Sequence, residues 1–264
     1  MSSTVSAIRA HMATIDLNSD MGEYEDETYY ALEAQLMPLI TSVNIACGVH
    51  AGNPSLMLRT AKLAARSGTA IGAHPGFPDA QDFGRRDRRT SAGEVEWLLS
   101  AQLKTLAEVL ESEQLTLSHV KLHGALYNLA ARDRRVADAV ARAVASFDSH
   151  LLLFALAGSE LVTSGRTAGL AVIQEAFADR AYQSDGTLVP RSHPHALLQT
   201  KQHIRRQLRE ILNGSVTSID GQQLAIQAES LCVHMDTPQA VEFLQLIGQE
   251  IQSAGVRIAK PLQP

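Results

Sequence analysis

Four histidines, His50, His74, His123 and His234, stand at or just beyond the ends of short apolar runs, in company with Asp20, Lys121, Glu175 and Asp236. Imidazole titrates near neutral pH, so it can take up a proton and return it, and a nearby carboxylate can hold the ring in the orientation the transfer needs. A carboxylate with two imidazoles is also a common divalent-metal set. Asp20, His50 and His74 would make one, leaving a position open for water. A lone histidine is more often a hydrogen-bonded core residue; four at equivalent places in a recurring pattern point to chemistry.

The strands that precede these groups must bring them together. Six apolar runs end in such residues: Ile15 to Asp20 (IDLNSD), Val43 to His50 (VNIACGVH), Ala70 to His74 (AIGAH), His119 to His123 (HVKLH), Ala171 to Glu175 (AVIQE) and Leu231 to Asp236 (LCVHMD). Side chains alternate along a strand, so Asp16, Asn18 and Asp20 share one face while Ile15 and Leu17 take the other. Lys121 is in phase with His119 and His123, and His234 with Cys232. In a barrel of parallel strands every C-terminal end opens on one rim, where residues far apart in sequence converge. Asp16 reads equally as part of that chemistry or as a tie to a neighbouring strand, and Cys47, beside Gly48, as a small buried thiol.

Helix signals separate the runs. Residues Ala31 to Pro38 read as helical, and Asn53 with Pro54 makes an N-cap and first-turn pair for a helix that Gly68 stops. Ser91 to Glu94 reads as a capping box ahead of Val95, Leu98, Leu99, Leu103, Leu106 and Leu110, which recur at helical spacing. Asp133 and Ser159 are placed to cap two more helices. Leu151 to Ala155 reads as a buried strand and Leu197 to Leu212 as a helix, and Thr237 with Pro238 opens the last helix. Seven alternations predict an α/β fold, a distorted or incomplete (β/α) barrel of about seven parallel strands. A doubly wound sheet is disfavoured because no glycine-rich dinucleotide turn follows the first strand. The stretch Gln183 to Pro194 is a loop long enough to cover a pocket.

Composition narrows the class of function. A chain of 264 residues, 45% hydrophobic and 19% charged, suits one barrel domain over residues 13–264, with residues 1–12 as a mobile extension. The net charge of -5 argues against nucleic acid, which needs a clustered basic face. No run is apolar enough to span a membrane, and the first residues lack the apolar stretch of a signal peptide. Two cysteines give no disulfide framework, so a reducing, cytoplasmic setting is expected.

Seven segments then carry a resemblance: Asp16 to Glu23 (DLNSDMGE), Asn44 to Pro54 (NIACGVHAGNP), Gly72 to Pro75 (GAHP), Phe83 to Arg86 (FGRR), Val120 to Asn128 (VKLHGALYN), Glu175 to Arg180 (EAFADR) and Cys232 to Pro238 (CVHMDTP). In this order, over nearly the whole chain, they resemble the LamB/YcsF family. The resemblance implies a barrel related to the polysaccharide deacetylase type. It implies ATP-dependent opening of 5-oxoproline (pyroglutamate) to L-glutamate, with ATP as co-substrate alongside Mg, and partner subunits of the PxpB-like and PxpC-like kinds. Three positions depart from the family pattern. Asn53 stands where Asp is usual, Leu122 replaces a common Pro, and Met235 replaces a common Gly, which bears on the placement of His234 and Asp236.

A lactam carbonyl is a poor electrophile, so its opening needs activation, a base for water, an acid for the leaving nitrogen and a cation for the developing charge. Asp20, His50, His74 and His123 suit proton transfer, and Lys121 suits the oxyanion or the substrate carboxylate. Arg85, Arg86 and Arg180 suit carboxylate or phosphate held bidentately. Asn18, Asn44, Tyr127, Glu175, His234 and Asp236 complete the expected substrate-binding set. Two other functions fit the same residues: a stand-alone metal-dependent amide hydrolase or deacetylase, and a non-catalytic subunit that binds substrate for its partners. With no Walker-type loop in the chain, contact with partners is expected near the Gln183 to Pro194 loop and the Arg85 to Arg89 cluster.

Overall fold

The computed structural model of the chain describes residues 14–235 and 239–262. In chain order the elements are β1 (Thr14–Met21), α1 (Glu27–Leu36), β2 (Ser42–Ala46), α2 (Pro54–Ser67), β3 (Ala70–His74), α3 (Ala92–Glu111), β4 (His119–Lys121), α4 (Gly124–Arg132), α5 (Arg134–Phe147), β5 (Leu152–Leu156), α6 (Glu160–Thr167), β6 (Val172–Phe177), α7 (Lys201–Leu212), β7 (Ser215–Thr217), β8 (Gln223–Ala225), β9 (Ser230–Cys232), α8 (Ala240–Ser253) and β10 (Arg257–Ile258). Parallel neighbours cannot be joined by a tight turn, so helices fill most of the crossovers.

Strands β1 to β6 lie side by side in sequence order, and β9 pairs with both β6 and β1, closing a ring of seven parallel strands. The expected α/β barrel is therefore present, and its ring is shut. β10 adds to the start of β1, where Thr14 and Ile15 pair with Arg257 and Ile258. The antiparallel β7–β8 hairpin lies outside the ring. It falls inside the excursion after β6, where short strands with no long apolar run leave little signal.

The phase of β1 is as its alternation dictates. Ile15, Leu17 and Met21 pack outward with Val43, Ile45, Ile71, Val120, Leu153 and Leu231 against the helix layer, all buried. Helix α3 buries Val95, Leu98, Leu99, Leu103, Leu106 and Leu110, and α5 buries Val136, Val140 and Val144. Each such side chain is worth about 1.5–3 kcal/mol when fully buried, so this outer shell, and not the barrel lumen, is the apolar core.

Most of the expected caps form. Asn53 Oδ1 accepts from Leu56 N at 3.0 Å, and Gly68 ends α2 in the left-handed conformation at φ 68°. Asp133 accepts from the first-turn amides of α5. Only half of the Ser91 capping box is made: Ser91 Oγ accepts from Glu94 N, while the Glu94 carboxylate turns to Thr90 and Arg88. Ser159 stands at the N-cap position of α6 but makes no capping bond, and α7 starts at Lys201 behind a Thr200 cap instead of at Leu197. The expected extension at residues 1–12, the Thr237–Pro238 helix start and Asp236 lie outside the described residues.

Candidate active site at the rim of the barrel

The barrel lumen is polar from its base upward. At the bottom, Asp16 Oδ1 accepts from the Thr41 and Ser42 hydroxyls, both at 2.6 Å, and its other oxygen accepts from Ser230. Burial drives its pKa up to about 6, against the three hydroxyls that would lower it. One layer up, Asn18 donates to Glu175 Oε1 at 2.7 Å and to Ser230 Oγ at 2.8 Å, while its carbonyl oxygen accepts from Asn44 and Lys121. Asn44 is also within 2.8 Å of His119 Nε2.

Lys121 joins this lattice to the rim. Its Nζ lies 3.0 Å from Asp20 Oδ1, 3.0 Å from Glu175 Oε1 and 2.9 Å from Cys232 Sγ, with the side chain almost wholly buried. Burial alone would lower the ammonium pKa; Asp20, Cys232 and Glu175 outweigh it and hold the group well above its usual value. Asp20 shows the mirror case: burial pushes the carboxyl up, but His74 and Lys121 hold it well below the ordinary range. Both groups are thus charged at neutral pH, as a buried pair must be to offset its desolvation.

At the rim, His74 Nδ1 bonds the Lys121 carbonyl at 2.8 Å, and His123 Nε2 bonds the Phe83 carbonyl at 2.7 Å. Carbonyls only accept, so those nitrogens carry protons. The remaining nitrogens, His74 Nε2 and His123 Nδ1, face each other at 2.9 Å, with Asp20 Oδ2 3.3 Å from His74 Nε2. His50 stacks on His123 with ring centroids 3.8 Å apart and planes 3° from parallel. Desolvation lowers the pKa of both His50 and His123, most strongly for His123, where the neighbouring His50 and His74 add to the effect.

These groups border a cleft of about 570 Å³. Of the residues expected there, Asp20, His74, Lys121, His123, Tyr127, Arg85, Arg86, Arg180 and His234 line it. His50 stands behind the wall. Asn18, Asn44 and Glu175, expected to bind substrate, lie fully buried below the floor and bond to one another, to Lys121 or to Tyr127. Their place is that of positioning residues for Lys121 and Asp20. Arg86 is largely exposed and pairs with Asp79 and Asp82. Arg180, 4% exposed, gives Nη2 to the Val189 carbonyl at 2.7 Å, holding the loop over the pocket, while its Nε has no partner. Burial, with Arg191 nearby, lowers its pKa to about 10.

Two residues escaped the sequence reading: Glu23, which lines the cleft, and Asp179, buried behind it. Glu23 follows Asp20 beyond Gly22, whose φ of 73° turns the chain out of the strand, so alternation no longer projects its direction. Asp179 accepts from His234 Nδ1 at 2.9 Å and from its backbone N at 3.2 Å, fixing the ring at the cleft edge. Among the described residues, two clusters have metal-ligand spacing, each with its donor atoms within 4.8 Å of one another: Asp20, Cys232 and His234, and Glu23, His74 and His123. In the first, the Lys121 ammonium already sits against Asp20 and Cys232, so a second cation does not fit. The second has no such occupant.

The fold and the site together define a closed (β/α) barrel with a cleft lined by histidines and carboxylates at its strand ends. Residues 15–264 match the LamB/YcsF family, and the chain belongs to it. It is 48% identical over 256 residues to the A-subunit of 5-oxoprolinase from Symbiobacterium thermophilum, covering 97% of this chain and 98% of that one. It is 44% identical over 248 residues to the corresponding 5-oxoprolinase A-subunit of Bacillus subtilis, covering 94% and 96%. The crystal structure of a lactam utilization protein from Thermus thermophilus superposes with a TM-score of 0.84 at 41% identity, covering 93% of this chain and 99% of that one.

Proposed function

We propose that this chain is the lactam-opening subunit of an ATP-dependent, cytoplasmic 5-oxoprolinase that works with PxpB-like and PxpC-like subunits. The observation that carries the reading is one cleft with two chemistries. Asp20, His74 and His123 form a proton-handling wall, and Arg180 brings a buried guanidinium with an unpartnered N–H, suited to the carboxylate of a small lactam. The names of the relatives support the same substrate.

In this mechanism the amide oxygen attacks the γ-phosphorus of MgATP, supplied with a partner subunit, and ADP leaves. Water adds to the activated carbon as the Asp20 carboxylate, beside His74, takes its proton. The C–N bond then breaks, and His234, held by Asp179, protonates the departing nitrogen. The resulting glutamyl phosphate takes a second water, giving glutamate and phosphate. Lys121 stays in its cage of Asp20, Glu175 and Asn18, where it keeps Asp20 ionised instead of reaching the substrate.

The test is turnover of 5-oxoproline by the purified chain, alone and mixed with purified PxpB-like and PxpC-like subunits, following glutamate and ADP. Stoichiometric glutamate and ADP only in the mixture is the expected result. ATP-coupled turnover by the chain alone, or no rate gain on mixing, overturns the division of labour. Turnover without ATP selects the stand-alone amide hydrolase.

A further inference from the structure

We infer that Glu23, His74 and His123 form a binding site for one divalent transition-metal ion at the rim of the barrel. The argument starts from tautomers. The Lys121 and Phe83 carbonyls fix protons on His74 Nδ1 and His123 Nε2, so the other two ring nitrogens face each other across 2.9 Å, a contact that takes either one shared proton or a metal ion. That approach is repulsive unless a cation lies between or beside them. A backbone carbonyl on the distal ring nitrogen is the usual support of a metal-binding histidine, because it fixes the tautomer and raises ligand basicity.

The third group is a carboxylate oxygen without a donor. Glu23 Oε1 is buried and has no hydrogen-bond partner, and both ring nitrogens of His50 are buried and unpartnered as well. The Glu23 side chain is 6% exposed, and its Oε1 stands 3.7 Å from His123 Nδ1 and 3.7 Å from His50 Nε2. Buried polar atoms in native proteins are nearly always satisfied, so the orphaned Glu23 oxygen beside two facing ring nitrogens marks a missing partner. A cation accounts for the Glu23 oxygen and the facing imidazole lone pairs at once.

The spacing suits an ion. Two donors each about 2.1 Å from one metal, at right-angle or tetrahedral geometry, stand about 3.0–3.4 Å apart. The 2.9 Å and 3.7 Å separations reach those values with shifts of a few tenths of an ångström. Asp20 Oδ2, 3.3 Å from His74 Nε2, adds negative potential beside the site. Lys121 does not occupy it, because its Nζ is committed to Asp20, Glu175, Asn18 and Cys232 on the lumen side. Two imidazoles and a carboxylate favour a borderline ion such as zinc or cobalt(II) over calcium or magnesium.

The test uses metal alone, so its outcome is separate from that of the substrate reading. The full chain is stripped with chelator and titrated with zinc in a calorimeter and with cobalt(II) by visible absorption. The expected result is about one ion per chain. Glu23→Gln and His123→Gln should each weaken binding by at least about 10²-fold, while Asp82→Asn, on an exposed carboxylate of the same cleft, leaves it unchanged. If a variant fails to fold, crystals of the unsubstituted chain soaked in zinc decide by anomalous scattering. A peak between Glu23, His74 and His123 supports the site. An absence of binding, binding undiminished in both folded variants, or a peak elsewhere overturns it.

Discussion

Gly72 and His119 are register partners across β3 and β4, and the imidazole fills the space a side chain on Gly72 would need. A Cβ built there stands 2.1 Å from His119 Nε2, the nitrogen that meets Asn44 at 2.8 Å. Gly72→Ala should therefore destabilise the fold by at least about 1–3 kcal/mol through overpacking. In a His119→Ala background the same substitution should cost far less. Urea unfolding of the four proteins in this cycle measures the coupling, and equal costs in both backgrounds would contradict the contact.

The same histidine sets a pH dependence. Burial, with the charge of Lys121, lowers the His119 pKa to about 3. The unfolded chain takes up that proton below about 6.5 and the native state does not, so stability falls as pH drops through that window, by up to about 1.4 kcal/mol per unit. Asp16 works in the opposite sense: its native pKa of about 6 lies above the ordinary value of 3.8, so it adds stability as pH falls between them. Between pH 7 and 5 the protein should lose about 2 kcal/mol more than His119→Gln does, measured by chemical denaturation at each pH. Equal losses would show that His119 is not held neutral.

Lys121 faces two carboxylates, and removing it strands both. Lys121→Met should cost about 3–5 kcal/mol, and adding Glu175→Gln to that variant should recover part of the loss. Thermal and urea unfolding decide this. A double variant no more stable than the single one would show that Glu175 does not depend on the ammonium.

Asp20→Asn keeps the shape of the Asp20 side chain but removes its proton-accepting charge. In the assembled enzyme it should lower kcat by about 10²- to 10⁴-fold, and His74→Ala should do the same. Glutamate release with all subunits present provides the check, and near-normal rates for both would remove this pair from the chemistry.

Arg180→Gln should act on binding instead of on the chemical step. Loss of a charged hydrogen bond of about 1.5–3 kcal/mol predicts a KM for 5-oxoproline raised about 10- to 10²-fold. Competition by 2-pyrrolidinone, which lacks the carboxylate, should be unchanged. Equal weakening of both ligands would place Arg180 away from the carboxylate.

The polar alternation of Asp16, Asn18 and Asp20 was readable in the sequence because a strand repeats every two residues and the lumen side of this barrel is hydrophilic. The same rule put Lys121 in phase with His119, while His74 was found by its place at a strand end and the seven strands by their alternation with helices. It could not separate floor from lining: Asn18, Asn44 and Glu175 have the residue types of a binding site, but their depth depends on strand stagger, which appears only once the ring is closed. Glu23 was hidden by the turn at Gly22. The Asp179–His234 pair was hidden by a separation of 55 positions in sequence, since nothing local reveals that β6 and β9 are neighbours.

Ring closure also has a consequence for how the chain is made. The last ring strand to leave the ribosome, β9, must join Ser230 to Asp16 and Glu175, the first of these across 214 residues. Until then β1 and β6 are open edges, and Lys121, Asp20 and Glu175 remain in contact with water. Desolvation of the interior charges and sealing of the sheet therefore belong to a single late event after most of the chain has emerged, and pairings this distant in sequence form slowly. A nascent or truncated chain lacking residues beyond 229 would display two unpaired edges, the kind of surface that draws other chains into aggregates and that chaperones shield.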